Sequence, residues 1–295
     1  MKIQFLNGGL ANQAFQYIFA RFCELYNPEE PVWLDDSFFF VKREHNGYEL
    51  EKVFGIKARL LSEYFSTDVW EYLIEKKRNG ISICQSFRDM GEDIMMIAEA
   101  DNYKNYNPFD GEIRMVKCNQ FIPSLAQVEG NIYYHGYWIN KNWLYTYKEV
   151  LLKELTFPAI TDEKNLQYKE QVENSESIAI HVRRGDYVKL GWQLSENIYM
   201  LGCGEVVKRR PDAWFFVFSD DIVWCRENAE KLGLNLARQV TYIEGNMDGN
   251  NYIDMQLMTM CKGLIMSNSA FCYLAALLNS RKDLFCNPLS GMRDL

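Results

Sequence analysis

The second half of this 295-residue chain alternates regularly between short apolar runs and helical patterns, and this alternation constrains the fold more than any other feature. The run AWFFVF at 213–218 is rich in aromatic residues and typical of a buried strand. The segment 196–209 has helical spacing and stops before Pro211, because the residue before a proline disfavours the helical conformation. Strands and helices that take turns predict a parallel sheet covered on both faces. We expect strands at 178–182, 213–218, 239–243, 263–267 and 284–286, and helices at 196–209, 222–232, 250–262 and 270–279.

The first half has a similar beginning. The pattern predicts a strand at Lys2–Leu6, a glycine turn and an amphipathic helix from Asn12 to Tyr26. Further strands are expected at Val32–Leu34 and 131–135, with helices filling 60–100. These elements predict a second α/β domain.

The polar segment 156–177, which contains Pro158, separates the two halves and reads as a partly helical connection. A chain of this length suits two domains. We therefore predict an α/β protein with two Rossmann-like domains, 1–155 and 156–295, that face a cleft.

Composition narrows the class of partner. Hydrophobic residues make up 48% and charged residues 24%, as in folded globular proteins. The net charge of −8 argues against nucleic acid as a partner, because proteins that bind nucleic acid present a basic face to its phosphates. A single phosphate-bearing ligand held by a few arginines stays compatible with this charge.

Cysteine usage and the N-terminal sequence indicate a cytoplasmic protein. The eight cysteines form no C-x-x-C pair and mostly lie in apolar runs, which favours reduced, buried thiols. The first apolar run breaks at Asn7-Gly8-Gly9, and no stretch approaches the ~18 apolar residues of a membrane-spanning helix. Peripheral association with the inner face of the membrane, where an acceptor could lie, is compatible with this pattern.

Polar side chains follow the predicted strands of the second half. The first strand runs into His181, Arg183 and Arg184, and the next three run into Ser219-Asp220-Asp221, Glu244-Gly245-Asn246 and Ser267-Asn268-Ser269. Ligands of open parallel sheets bind at this edge. Two guanidinium groups can grip a diphosphate, and the helix after Ser269 offers free N–H groups. The alternative is that polar strand ends and the R-R-G-D turn are simply exposed to solvent.

Other kinds of site receive less support. The turn Asn7–Gln13 is neither G-x-G-x-x-G nor a P-loop, so it can be purely structural. The histidines His45, His135 and His181 lack metal-ligand spacing, and no D-x-D pair is present, so we predict no metal site. The absence of a G-x-S-x-G elbow weakens a hydrolase interpretation.

Five segments in a fixed order carry a more specific signal. They are GGLANQAFQY near the start, HGYW at 135–138, HVRRGDY at 181–187, FFVFSDDIVWC at 215–225 and DMQLMTMCKGLIMSNSAF at 254–271. Together they resemble the α-1,2-fucosyltransferase family over nearly the whole chain. The H-x-R-R-G-D segment also resembles the donor motif of α-1,6- and protein O-fucosyltransferases. Asn12-Gln13 resembles the G-N-Q motif of the O-fucosyltransferases.

The resemblance implies a GT-B architecture and an inverting transfer of L-fucose from GDP-β-L-fucose to a galactoside hydroxyl, with an α-1,2 linkage, in glycan or polysaccharide synthesis. It implies no metal or cofactor besides the donor substrate. Residues 1–155 would then form the acceptor-side domain and 156–295 the donor-binding domain. The acceptor would be a galactose-containing oligosaccharide or glycolipid.

The resemblance also implies roles for individual residues. Arg183 is expected to hold the β-phosphate with Arg184 nearby, and Asn12 to face the reaction centre from the first domain. The other donor-binding residues would be His181 and Asp254 around the nucleoside, Ser267, Asn268 and Ser269 at the phosphate end, and Gly9. Departures from the family pattern at Ala11, Ile139, Ala270 and Cys272-Tyr273-Leu274 leave the pocket shape and the acceptor preference open.

The general base stays unassigned at this level. Candidates are Asp35, Asp36, Asp186 and His45, and Asp186 is a catalytic candidate that could instead hold Arg183 or Arg184 by a salt bridge. Two other functions also stay open: a transferase that uses another nucleotide sugar, and a catalytically silent protein that binds nucleotide or glycan.

Overall fold

The computed structural model of this protein describes residues 1–42, 45–100, 109–247, 249–279, 284–287 and 291–292. The chain divides into two compact units, Met1–Phe157 and Pro158–Leu295. Among the described residues, no helix has both the length and the apolar character needed to cross a membrane.

The first unit is built on a five-stranded parallel sheet in the order β2-β1-β5-β3-β4. Its strands are β1 Lys2–Phe5, β2 Val32–Asp35, β3 Ile94–Glu99, β4 Ile113–Val116 and β5 Asn131–His135. Its helices are α1 Leu10–Tyr26, α2 Phe38–Val41, α3 Leu50–Phe54, α4 Leu61–Tyr64, α5 Thr67–Arg78, α6 Ile83–Asp89, α7 Lys141–Thr146 and α8 Lys148–Glu154.

The prediction that helices fill 60–100 was wrong at its end. Helices α4 to α6 occupy the earlier part, but Ile94–Glu99 is a strand that pairs in parallel with both β4 and β5. Met and Ala favour helices by intrinsic propensity. The segment nevertheless lies between two strands and is buried on both faces, and a continuous apolar run is what such a central strand requires.

The second unit contains a six-stranded sheet in the order β11-β10-β9-β6-β7-β8, parallel except for the β10–β11 pair. Its strands are β6 Glu176–Val182, β7 Ala213–Ser219, β8 Gln239–Tyr242, β9 Gly263–Ile265, β10 Leu284–Asn287 and β11 Gly291–Met292. Its helices are α9 Glu163–Glu173, α10 Gly185–Leu190, α11 Glu196–Arg209, α12 Ile222–Glu227, α13 Tyr252–Met260 and α14 Ala270–Leu278.

The predicted alternation of strands and helices is confirmed in this unit, and so is the partly helical connection, which contains helix α9. Two helices differ from the prediction. Helix α12 ends at Glu227, several residues before the predicted end. Helix α10 begins within the H-x-R-R-G-D segment, where the sequence pattern gave no helix. The described cysteine side chains are free thiols, and all of them except Cys118 are buried.

The register of the parallel strands positions the candidate site. Val182 at the end of β6 pairs with Ser219 at the end of β7, and Ile180 pairs with Ile265 at the end of β9. The residues that follow these strands therefore leave the sheet side by side, at its carboxyl edge.

Candidate functional site

Arg183 is the centre of an ion-pair cluster at this edge. Its Nη2 lies 2.6 Å from Oδ1 of Asp186, and its Nη1 lies 3.0 Å from Oδ2 of Asp220. The Nε–H of Arg183 is buried and has no hydrogen-bond partner among the described residues. The guanidinium carbon lies 5.4 Å from the centre of the Tyr187 ring. The arginine is thus held from three sides, and its buried Nε–H stays available as a donor.

Arg184 is fixed next to it by a different set of contacts. Its Nε donates to Oδ2 of Asp221 at 3.1 Å, and its guanidinium carbon lies 3.4 Å from the centre of the Trp224 ring. Asp221 also accepts a hydrogen bond from the Trp224 backbone N–H at 3.2 Å and so caps helix α12. Stacking on an indole suits a planar guanidinium, and this contact holds Arg184 in one orientation.

Gly185 is required because the Asp220 carboxylate passes directly over it. A Cβ at this position would lie 2.5 Å from Oδ2 of Asp220. The same carboxylate accepts a hydrogen bond from the Arg184 backbone N–H at 2.8 Å. The R-R-G-D segment is therefore not a loose solvated turn, since its glycine makes room for the carboxylate that ties the arginines together.

His181 lies inside the sheet edge and is buried. Its Nδ1 is 2.7 Å from Oγ of Ser267, which joins the end of β6 to the segment that follows β9. Burial, with a smaller effect from the nearby Arg183 charge, lowers the pKa of His181 to about 3. The imidazole is therefore neutral at physiological pH and can act as a hydrogen-bonding group but not as a cation.

The segment after β9 supplies a helix N-terminus. Oγ of Ser269 accepts a hydrogen bond from the Phe271 backbone N–H at 3.2 Å and caps helix α14. Nδ2 of Asn268 donates to the carbonyl oxygen of Trp192 at 2.8 Å, while Oδ1 of Asn268 is buried with no partner among the described residues. The buried Cys272 thiol contacts the carbonyl oxygens of Ser267 and Ser269 at 3.4 Å and 3.2 Å. Cys272, where the sequence departs from the family pattern, thus packs against this segment.

Asp254 belongs to a chain of polar contacts that the sequence did not reveal. Its Oδ1 accepts a hydrogen bond from Nδ2 of Asn246 at 2.7 Å. The amides of Asn246 and Asn165 exchange two hydrogen bonds at 2.7 Å and 2.9 Å, and Asn165 also donates to Asp162. Burial raises the pKa of Asp254 to about 7. Asn246 stood out as a polar strand-end residue, but Asn165 lay in the predicted connection, where only the capping residue Asp162 offered a signal.

Gly9 and Asn12 lie in the first unit, at the N-terminus of helix α1. A Cβ on Gly8 would lie 2.6 Å from Nδ2 of Asn12, and a Cβ on Gly9 would lie 3.5 Å from the His45 ring. Gln13 is buried, and its Nε2 donates to the carbonyl oxygens of Gly8 and Gly47, both at 2.9 Å. Gln13 therefore holds the glycine turn in place, whereas Asn12 and His45 lie around the two glycines.

Two of the carboxylates considered as general bases, Asp35 and Asp36, lie at the end of β2 and directly after it. Asp35 and Asp36 are buried: Asp35 accepts from the Ser37 N–H at 2.9 Å, and Asp36 accepts from the Ser62 N–H at 3.1 Å. Burial raises the pKa of Asp36 to about 6. These contacts give both carboxylates a structural role in the turn after β2.

Glu49 is a residue that the sequence reasoning missed. It is buried, accepts a hydrogen bond from Nδ2 of Asn46 at 3.0 Å and interacts with the Leu10 N–H at the start of α1. Burial raises the pKa of this carboxyl group. Its position beside the glycine turn could not be read from a lone Glu in a loop. Within the described part of the chain, no group of three or more His, Cys, Asp or Glu side chains is arranged to hold a metal ion.

Comparisons with known proteins bear on the family and on the fold. The model of the family described as glycosyl transferase family 11 matches residues 94–289. An α-1,2-colitosyltransferase of Escherichia coli is 25% identical over 93% of this chain and 86% of its own length. A bovine galactoside 2-α-L-fucosyltransferase is 30% identical over 34% of this chain and 28% of its own length.

The α-1,6-fucosyltransferase NodZ, in a crystal soaked with GDP-fucose, is the structural match of most use for the fold. It superposes with a TM-score of 0.51 and 12% identity, over 99% of this chain and 98% of the NodZ chain. At that identity the match speaks for the fold alone. The expected GT-B-like α/β fold with parallel sheets is thereby confirmed.

Proposed function

Because the chain belongs to glycosyl transferase family 11, we propose that it transfers L-fucose from GDP-β-L-fucose to a galactoside hydroxyl, with inversion and an α-1,2 linkage. The observation that carries the proposal is the arginine cluster at the carboxyl edge of the second sheet. Asp220 contacts both Arg183 and the backbone of Arg184, next to the capped N-terminus of helix α14. Fixed guanidinium groups and a helix N-terminus are both suited to a diphosphate.

Donor binding requires an exchange of partners at Arg183. The two arginines are matched by the carboxylates of Asp186, Asp220 and Asp221. Asp186 is the most exposed of these three, with 54% of its side chain accessible, so it can turn into solvent at the lowest cost. A phosphate oxygen would then take its place on Nη2, and the unused Nε–H of Arg183 offers a second donor. We assign Asp186 to holding Arg183 until the donor binds.

The same groups would assist departure of GDP. Negative charge builds up on the bridging oxygen as the glycosidic bond breaks, and preorganised donors at that oxygen lower the barrier. Two arginines and the amide groups of α14 supply directed N–H donors at this point, and we propose that these donors take the role that a divalent ion has in metal-dependent transferases. We therefore propose that transfer does not need a metal ion. Alignment of the acceptor hydroxyl opposite the leaving group contributes the remainder, and the hydroxyl proton passes to a general base or to water as its oxygen bonds to the anomeric carbon.

The nucleoside is assigned to the polar chain around Asp254. Asp254 accepts one hydrogen bond from Asn246 through Oδ1 and keeps its second carboxyl oxygen for another donor. A guanine ring presents adjacent N–H donors, which a carboxylate can accept. The neutral His181 and Ser267, joined at 2.7 Å, lie at the carboxyl ends of the neighbouring strands β6 and β9.

Colitosyl transfer is the second candidate, because a colitosyltransferase is similar over 93% of this chain. The departures at Ala270 and Cys272 lie at the start of α14, where a change in donor sugar would be accommodated. The same family and the same arginine site serve either donor.

The test is incubation of the purified protein with GDP-fucose and an array of galactosides, in the presence and absence of EDTA, followed by linkage analysis of the product. We expect an α-1,2-fucosylated galactoside at equal rates with and without EDTA. Parallel reactions with GDP-mannose, UDP-sugars and a nucleotide-activated colitose identify the donor. Calorimetric GDP binding without any product from these donors and acceptors would reject the transferase and leave a silent binding protein.

A further inference from the structure

Trp192 is an exposed indole beside the arginine cluster. It is 58% exposed, while the other tryptophans of the chain are buried or half-buried. It follows the short helix α10, which begins within the H-x-R-R-G-D segment. An exposed apolar side chain is ordinary on a protein surface, so exposure alone assigns no role.

The position of this indole is fixed by contacts with the donor site. The Trp192 backbone N–H donates to the carbonyl oxygen of Tyr187 at 2.8 Å, and its own carbonyl oxygen accepts from Nδ2 of Asn268 at 2.8 Å. Its ring meets the Tyr187 ring edge to face, with centres 5.7 Å apart. Tyr187 in turn lies 5.4 Å from the guanidinium carbon of Arg183. Two ring contacts therefore connect the indole to the proposed phosphate-binding arginine.

We propose that Trp192 is a stacking platform for a pyranose ring at the donor site. A pyranose has one face of C–H groups, and a rigid indole offers a flat apolar surface at little cost in conformational entropy. The link through Asn268 makes this surface continuous with the segment that caps α14. The inference rests on the proposed function, because it takes the ligand of this site to be a sugar nucleotide and its acceptor.

A lipid surface is the competing occupant, since Val188, Leu190 and Leu201 are also exposed in this region of the sequence. Membrane contact would draw on these aliphatic side chains as much as on the indole. Membrane contact gives no reason for the hydrogen bonds of the Trp192 N–H and carbonyl groups. It also gives no reason for the edge-to-face contact of the indole with Tyr187. Those contacts favour the sugar platform.

The experiment compares Trp192→Ala and Trp192→Phe with the matched control Leu201→Ala, in which an exposed side chain of the same unit is shortened. For each protein, kcat and KM are measured for donor and acceptor, GDP affinity is measured by calorimetry, and folding is checked by thermal melting. We expect Trp192→Ala to raise the KM of one sugar substrate about tenfold, with Trp192→Phe recovering most of the loss. GDP affinity should stay unchanged, because GDP carries no hexose.

The separate KM values for donor and acceptor show which substrate carries the pyranose ring that stacks on Trp192. A raised donor KM assigns the platform to the donor sugar, and a raised acceptor KM assigns it to the acceptor. Donor and acceptor KM values that match those of Leu201→Ala would overturn the proposal. An effect that appears only with vesicles and is shared by Leu190→Ala would overturn it in favour of a lipid contact. Failure of the wild-type protein to transfer any sugar would instead reject the proposed function.

Discussion

Replacement of Arg183 by alanine separates a catalytic role from a structural one. The Arg183 side chain is 30% exposed, and its ion-pair partners Asp186 and Asp220 are 54% and 27% exposed. Partly solvated pairs of this kind contribute about 0.2–1 kcal/mol each. The free energy of unfolding should therefore fall by at most about 2 kcal/mol, which is a shift of about 4–8 °C in melting temperature for a unit of this size.

The catalytic cost should be much larger. Loss of a preorganised donor to developing negative charge costs about 10²–10³ in kcat, or about 2.7–4 kcal/mol of transition-state stabilisation. Arg183→Lys keeps the charge but loses the planar set of donors, so we expect it to recover only part of the activity. The assay is steady-state transfer with saturating acceptor, with melting temperatures measured on the same preparations.

Arg226→Ala is the matched control. Arg226 lies in the same unit, has one ion pair with Glu244 at 3.0 Å and stacks on Tyr242 at 4.9 Å. Its removal should have a similar effect on stability and none on kcat. The reasoning would be refuted if Arg183→Ala kept the turnover of Arg226→Ala, or if its loss of activity followed only from unfolding at the assay temperature.

Two further variants test other parts of the site. Because burial raises the pKa of Asp254 to about 7, the folded state holds a proton that the unfolded state releases, so the free energy of unfolding should fall as the pH rises from about 4 to about 7. Asp254→Asn should remove this decrease in the free energy of unfolding, measured by urea unfolding across that pH range, and should weaken GDP binding. Equal dependence of the unfolding free energy on pH in the wild-type and variant proteins would contradict the prediction. Gly185→Ala would place a Cβ 2.5 Å from the Asp220 carboxylate, so we expect a loss of about 1–3 kcal/mol in stability and weaker donor binding. Gly204→Ala is its control, since a Cβ there meets nothing closer than 4.0 Å and alanine favours the helix; equal donor affinity in both alanine variants would argue against the role of Gly185.

The sequence predicted the second sheet well because its central strands β6, β7 and β9 are buried, so their apolar runs are distinct from the polar segments between them. It failed at Ile94–Glu99, where local propensity favours a helix but pairing with two strands decides the outcome. The order of strands in the first sheet, in which β5 lies between β1 and β3, likewise depends on contacts between distant segments.

The candidate site was predicted in its residue types, but of its pairings only the salt bridge from Asp186 to an arginine was anticipated, and Asp186 is found on Arg183. The arginines were evident from the R-R-G-D segment, yet their attachment to Asp220 and Asp221 depends on the register between β6 and β7. The contact of Asn165 with Asn246 joins residues far apart in sequence, and no local pattern distinguishes such an asparagine from an exposed one. The donor, the linkage and the roles of individual site residues stay predictions.

The segment that follows the domain boundary has a consequence for chimeric proteins. Pro158 accepts a hydrogen bond from Gln256 at 2.7 Å, and Asp162 and Asn165 lead from helix α9 to Asn246 and Asp254. A donor unit grafted from a relative at the start of β6 would separate Asn246 from the Asn165 that pairs with it, at the group to which we assign the nucleoside. A chimera designed to exchange donor specificity between family members should therefore have its junction between Phe157 and Pro158. Helix α9 and the second sheet then come from the same parent protein.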